Sequence, residues 1–272
     1  MNALRRLQRE LDALRTVAVA TSGGVDSTTL AVVAYRRLGE RAEIFHAVSP
    51  AVPPDATARV RAQARVEGWR LRIVDAGEFD DAAYLSNPVD RCYYCKRDLY
   101  GAIAPLTGAV IASGTNTDDL ADYRPGLDAA REREVRHPYV DAGIDKATVR
   151  AIARHLGLAG LADLPAAPCL SSRVETGIAI RSDVLKVIDE VEGDLRRRLG
   201  AATVRCRVRG DGVVIELDAA TLAALADDDE MRIRARAEDM WRAHGLTRPV
   251  RIEPYRQGSA FVGAPMRQLP SR

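Results

Sequence analysis

Five short stretches of this sequence bring together residue types able to do chemistry. Ser22-Gly23-Gly24-Val25-Asp26-Ser27 stands between the apolar run Val17-Ala18-Val19-Ala20 and an apolar helical pattern that runs to about Leu38. Two glycines permit a tight turn and a close approach of backbone. The amides that open a helix then point at whatever lies beyond, and the helix dipole favours an anion there. Ser22 and Ser27 add hydroxyl donors, and no lysine follows the glycines as it does in a Walker A loop. The plainer alternative is a helix start capped by Asp26 or Ser22. A second polar knot, Gly114-Thr115-Asn116-Thr117-Asp118-Asp119, follows the apolar Val110-Ile111-Ala112. Its carboxylates suit Mg²⁺, which takes oxygen ligands; standing alone, the knot reads as a capped loop. Cys92 and Cys95 form a CxxC pair, Cys169 lies in Pro168-Cys169-Leu170-Ser171-Ser172-Arg173, and Arg205, Arg207 and Arg209 alternate along an extended run. Alternation puts the three guanidinium groups on one strand face, where their forks suit phosphate, and turns Cys206 to the other face.

The elements that must position these residues are legible as periodicities. Leu alternates with charged residues over 3–15 at helical spacing; strands are expected at Val17–Ala20, Ile44–Val48, Leu71–Val74 and Val110–Ala112; helices at Asp26–Leu38 and Thr57–Glu67. Strands alternating with helices predict an α/β fold with a doubly wound parallel sheet over 1–165, which binds ligands beyond the carboxyl ends of its strands. After the Pro-rich stretch at 164–168 the pattern changes. A helix over Ser182–Leu199, a hairpin of Thr203–Arg209 and Val213–Leu217, a helix near Asp228–Ala243 and a strand near Val250–Glu253 predict a smaller α+β domain over 166–272.

The first loop, between its strand and its helix, resembles the SGGxDS motif of the PP-loop ATP pyrophosphatases. Four further stretches select within them: Asn87-Pro88 with Arg91-Cys92-Tyr93-Tyr94-Cys95-Lys96; Gly114-Thr115-Asn116 through Asp122-Tyr123-Arg124-Pro125-Gly126-Leu127; Pro168 to Arg173; and Val204-Arg205-Cys206-Arg207 leading to Ile215-Glu216. In that order they resemble the LarE family, ATP-dependent sulfur transferases of nickel-pincer nucleotide synthesis, and the likeness runs on to Tyr255–Ser259.

The resemblance implies that ATP is bound through Ser22, Gly23, Gly24, Asp26, Ser27, Thr115, Asn116 and Asp118, with Mg²⁺ on Asp26 and Asp118. It implies a small-molecule substrate, a pyridinium mononucleotide with two carboxylates, whose phosphate meets Arg205 and Arg207, with Arg124 a further anion-binding candidate. One carboxylate is adenylated and Cys169 displaces AMP, a thiolate being a strong nucleophile for such an electrophile; Arg173 is placed to assist it. Two fates for Cys169 stay open. Its sulfur is surrendered, leaving dehydroalanine, or Cys92, Cys95 and Cys169 ligate a [4Fe-4S] cluster that carries an extra sulfide. The sequence departs from the family where Ala162-Asp163-Leu164-Pro165 replaces a Trp-Asp-Lys-Pro run, and where Val174-Glu175-Thr176-Gly177 lacks the usual aromatic residue.

Composition bounds the alternatives. The 272 residues carry a net charge of +2, which argues against a broad nucleic-acid face and so against a tRNA thiolase. An amide ligase of the NAD, GMP or asparagine synthetase kind that draws ammonia from glutamine needs a glutaminase domain, for which no stretch is left. A nucleotide sensor without catalysis is the non-enzymatic alternative. No apolar run reaches the ~20 residues of a membrane span. The start, Met1–Arg15, lacks a signal-like apolar core, so a cytoplasmic protein with reduced cysteines is expected, working as a homo-oligomer.

Overall fold

The computed structural model describes residues 2–121, 124–166 and 168–262, and they fall into two compact units. Of these, residues 2–81, 90–121 and 124–166 belong to the first, and 82–89 and 168–262 to the second.

In the first unit, strands β1 (Val17–Ala20), β2 (Ala42–Ala47), β3 (Leu71–Val74) and β4 (Val110–Ser113) form one sheet in the order β3-β2-β1-β4. Every pairing in it is parallel. Helices α2 (Val25–Leu38), α3 (Pro54–Glu67) and α4 (Arg91–Ile103) lie in the crossovers that parallel neighbours require, while α1 (Asn2–Leu14) precedes the sheet in sequence and α5 (Lys146–His155) follows it. Side chains alternate across a strand. Val17, Val19 and Ile44 therefore join one core with Leu30 and Val33 of α2 and Val149 and Ile152 of α5. Ala18 and Phe45 join a second core with Tyr100 and Ile103 of α4. Two cores on the two faces of one parallel sheet make this an α/β, doubly wound fold, as the strand–helix alternation predicts.

Helices α4 and α5 go beyond that sequence outline. The α5 helix buries Val149, Ile152 and Ala153, the i, i+3, i+4 stripe of an amphipathic helix, and packs against α2 and α1. Asp145 caps it by accepting from the Thr148 amide at 2.7 Å.

The second unit is built on a three-stranded mixed sheet. Strand β5 (Val204–Arg209) pairs antiparallel with β6 (Gly212–Leu217), and β6 pairs parallel with β7 (Val250–Pro254). Helix α6 (Ser182–Leu199) buries Val184, Leu185, Val187, Ile188, Val191 and Leu195, and helix α7 (Asp227–Ala243) buries Ile233, Ala237 and Trp241. Four acidic residues open α7, where they complement its dipole. No helix among the described residues is long and apolar enough to cross a membrane.

The sheet order reverses between β1 and β4, which run side by side with Ala20 opposite Ser113. That is the switch point at which an open α/β sheet leaves a crevice for ligands. Both polar loops of the first unit start there. Gly114, just past β4, packs so closely that a Cβ on it would stand 2.6 Å from the Ser27 amide nitrogen. Backbone cannot yield as a flexible side chain can, so Gly114→Ala should cost roughly 1–3 kcal/mol, the scale of an overpacked site. Urea unfolding of the variant tests this, and an unchanged midpoint would contradict the contact.

Candidate functional site

The Ser22–Ser27 loop is held from behind by hydroxyls and one imidazole. The Ser27 hydroxyl accepts from the Ser22 amide at 2.9 Å and lies 3.1 Å from the Ser22 hydroxyl. His46, buried under the loop, joins the Thr21 carbonyl (2.8 Å) to the Thr57 hydroxyl (2.9 Å). Burial holds its pKa below the ordinary value of 6.5, although the bond to Thr21 pulls upward. Gly23 adopts φ +80, and a Cβ there would meet the Ala56 carbonyl oxygen at 2.6 Å, so both its conformation and its space require glycine. The N-cap of α2 is Gly24, with no side-chain cap. The capping role considered for Asp26 or Ser22 is therefore not taken up, and the opening amides of α2 remain donors for an anion.

Asp26 sits in the first turn of α2. Its Oδ2 is salt-bridged to Lys146 Nζ, while Oδ1 is buried without a hydrogen-bond partner. A buried carboxylate oxygen lacking a donor suits a hard cation such as Mg²⁺. From the second loop, the Thr115 hydroxyl bonds to that of Ser113 at 2.9 Å, and Ser113 in turn to His137 Nδ1 at 2.9 Å. Asn116 closes a capping box: its side-chain oxygen accepts from the Asp118 amide and its own amide donates to Asp119. Asp118 Oδ2 accepts from the Lys146 amide at 3.2 Å, so Asp26 and Asp118 both converge on Lys146. Arg124 is paired with Asp119 at 2.7 Å. Asp122 and Tyr123, part of the stretch that carried the resemblance, lie outside the described residues. Cys92 and Cys95 are half-buried in the first turns of α4.

In the second unit, Cys169 is half-buried and precedes the single 3₁₀ turn Leu170–Arg173. The backbone around it is clamped by Arg173, whose Nη1 donates to the carbonyls of Pro168 (2.7 Å) and Cys169 (3.2 Å). Arg173 is itself buried and forked on Glu192, with both N–O distances 2.9 Å. Burial works against its charge, but Glu192 more than compensates and raises its pKa. Glu192 Oε1 also accepts from the Cys206 amide at 2.9 Å, tying the cysteine loop to β5 through one carboxylate. The stretch that follows Arg173 is pinned by Asn87, whose Nδ2 donates to Glu175 (2.8 Å) and Ile178 (2.9 Å).

Arg205, Arg207 and Arg209 share one face of β5, as alternation requires. Arg207 donates to Glu216 at 3.0 Å and to the Ser172 carbonyl at 2.9 Å. Arg209 reaches Glu216 (3.0 Å) and Glu253 (3.1 Å). Arg205 donates to the Val204 carbonyl, lies 4.0 Å from Glu192, and stands 5.9 Å from the Tyr255 ring centroid. Its pKa is lowered, first by burial and then by the Arg173 charge. Arg173, Arg205, Arg207 and Arg209 thus share the carboxylates of Glu192, Glu216 and Glu253, and such a concentration of guanidinium groups is of the kind that suits an anion. Cys206, on the opposite face, is fully buried, and desolvation pushes its thiol well above the usual range, so it is an inert packing residue.

No family model matches the chain. Over 218 residues, 79% of its length and 80% of the relative's, it is 42% identical to an uncharacterized protein of Synechocystis. Over 225 residues, 81% of its length and 78% of the relative's, it is 31% identical to the pyridinium-3,5-bisthiocarboxylic acid mononucleotide synthase of Lactiplantibacillus plantarum. The chain belongs to the LarE family. It is also 28% identical over 208 residues to an uncharacterized protein of Methanocaldococcus jannaschii.

Three residues of this LarE-family chain escaped the reading of motifs. His46 carries no signal outside its strand. Glu192 does: it is an acid on the face of α6 that otherwise buries Leu185, Ile188, Val191 and Leu195. Lys146 is one of only three lysines, with Lys96 and Lys186, among the 40 Lys and Arg residues.

Two outcomes follow from these geometries. Glu192→Ala should destabilise the second unit by about 3–5 kcal/mol, because it leaves Arg173 charged and buried without its partner; a loss below about 1 kcal/mol in urea unfolding would show the fork to be unimportant. Burial depresses the pKa of both His46 and His137 below 6.5. Their contribution to stability is therefore full above that pH and lost as pH falls through the folded-state pKa values, where the unfolded chain binds more protons. The urea midpoint should drop between about pH 7.5 and about pH 5.5, and less steeply in His46→Gln.

Proposed function

We propose that the chain is an ATP-dependent sulfur transferase that converts a carboxylate of a pyridinium dicarboxylate mononucleotide into a thiocarboxylate for nickel-pincer cofactor synthesis. The observation that carries this reading is the 31% identity, across most of both chains, to a synthase whose name specifies a bisthiocarboxylic mononucleotide product. The geometry supports it at two points. The uncapped start of α2 and the orphaned Asp26 oxygen suit the phosphates and Mg²⁺ of ATP. Arg173 clamps the backbone on either side of the Cys169 thiol.

Ser22, Gly23, Gly24, Ser27 and Thr115 hold the phosphates, and Asp26 and Asp118 hold Mg²⁺, which supplies charge neutralisation along the polyphosphate. A substrate carboxylate oxygen attacks the α-phosphorus, and pyrophosphate leaves. The Cys169 thiolate attacks the acyl carbon, AMP leaves, and a thioester joins substrate to protein. Loss of the Cys169 Cα proton then breaks the Cβ–S bond. The electron pair passes to sulfur, giving the thiocarboxylate and leaving dehydroalanine at 169. Arg205 and Arg207 anchor the substrate phosphate throughout.

Incubation with ATP, Mg²⁺ and the dicarboxylate in buffer freed of iron tests the whole sequence. Pyrophosphate should appear only when the dicarboxylate is present, and the protein mass should fall by about 34 Da, one H₂S, at Cys169. Product formed over many turnovers with Cys169 intact, in protein reconstituted with iron and sulfide, would overturn the sacrificial route. It would make Cys92, Cys95 and Cys169 cluster ligands instead.

A further inference from the structure

Lys146 touches both acids assigned to the metal. Its ammonium is salt-bridged to Asp26 Oδ2, and its amide donates to Asp118 Oδ2 at 3.2 Å. The other oxygen of Asp26 is buried and has no donor, so the carboxylate keeps an unfilled coordination position beside the ammonium. The pair is not sealed in: the Lys146 and Asp26 side chains are 34% and 25% exposed. The choice of residue is informative. Almost every other cation of this chain is arginine. An arginine here would fork the carboxylate and hold it, whereas lysine is a single mobile charge on a flexible stem. It can leave one oxygen anion for another at little cost in geometry.

We infer that Lys146 is an exchanging counter-ion. In the nucleotide-free protein it neutralises Asp26; when Mg²⁺ and the triphosphate arrive, its ammonium passes to a phosphate oxygen and releases Asp26 to the metal. The inference rests on the nucleotide reading of the Ser22–Ser27 loop and adds a residue and an order of events to it. Metal without nucleotide must compete with Lys146 for Asp26. Metal with nucleotide does not, because the phosphates take the ammonium. Mg²⁺ and ATP binding are thereby coupled through one side chain.

Three measurements on the full chain test this, none of them turnover. In the wild-type protein, acetic anhydride labelling read by peptide mass spectrometry should show Lys146 protected about tenfold by Mg·ATP, with Lys96 and Lys186 as internal references; the scale is that of a hydrogen bond to a charged group. By calorimetry, Lys146→Gln should bind Mg·ATP about tenfold more weakly. By electron paramagnetic resonance, the same variant should bind Mn²⁺ in the absence of nucleotide more tightly than wild type, while Lys146→Arg should not. Wild-type protein that binds ATP without protecting Lys146, or a folded Lys146→Gln whose nucleotide-free Mn²⁺ affinity is unchanged, would reduce the pair to an ordinary salt bridge and overturn the proposal. Absence of ATP binding to wild type would overturn the nucleotide reading itself, and is recognised by calorimetry before any variant is made.

Discussion

The first unit depends on two parallel strands lying side by side where the sheet order reverses. Because β1 and β4 are in register at Ala20 and Ser113, their carboxyl ends open two polar loops at one place. The loops then press together until Gly114 leaves no room for a side chain against the Ser27 amide. That backbone contact sets Asp26 near Asp118 and brings the start of α5 to both. Neither carboxylate would have a common neighbour if the strands were separated by another.

The second unit solves a different problem, that of keeping charge inside. Arg173, Arg205 and Arg207 are buried beside Glu192 and Glu216, with Arg209 and Glu253 at the edge. Desolvating a guanidinium is costly unless a carboxylate and further acceptors surround it. Here each carboxylate serves more than one arginine, and backbone carbonyls of the cysteine loop take further donors of Arg173 and Arg207. The clamp that shapes Pro168–Arg173 is thus also what permits the arginines to be buried. In that unit the bonds that shape the cysteine loop are also those that stabilise the buried charges, whereas in the first the packed cores and the polar loops are carried by different residues.

A contrast between lysine and arginine runs through both units. Forked arginines fasten loops and strands, whereas the partly exposed Asp26 is paired with a lysine. The near-absence of lysine elsewhere makes that position conspicuous once its surroundings are known.

Much was determined by the sequence alone. Short apolar runs alternating with helical periodicity specify a parallel α/β sheet, because only crossover helices can join parallel neighbours. The glycine loop between β1 and α2, the arginine alternation on β5 and the helix over Ser182–Leu199 are local patterns, and local patterns survive in one dimension. The family was legible too, since it resides in short motifs and their order. What only the tertiary structure decided were pairings between distant residues: Lys146 with Asp26, Glu192 with Arg173, Asn87 with the backbone at 175–178, and the commitment of Asn116 to a cap. No periodicity encodes such contacts. They arise when strand order and helix packing bring separate segments within hydrogen-bonding reach, and the cost of burying a polar group alone then favours such pairs.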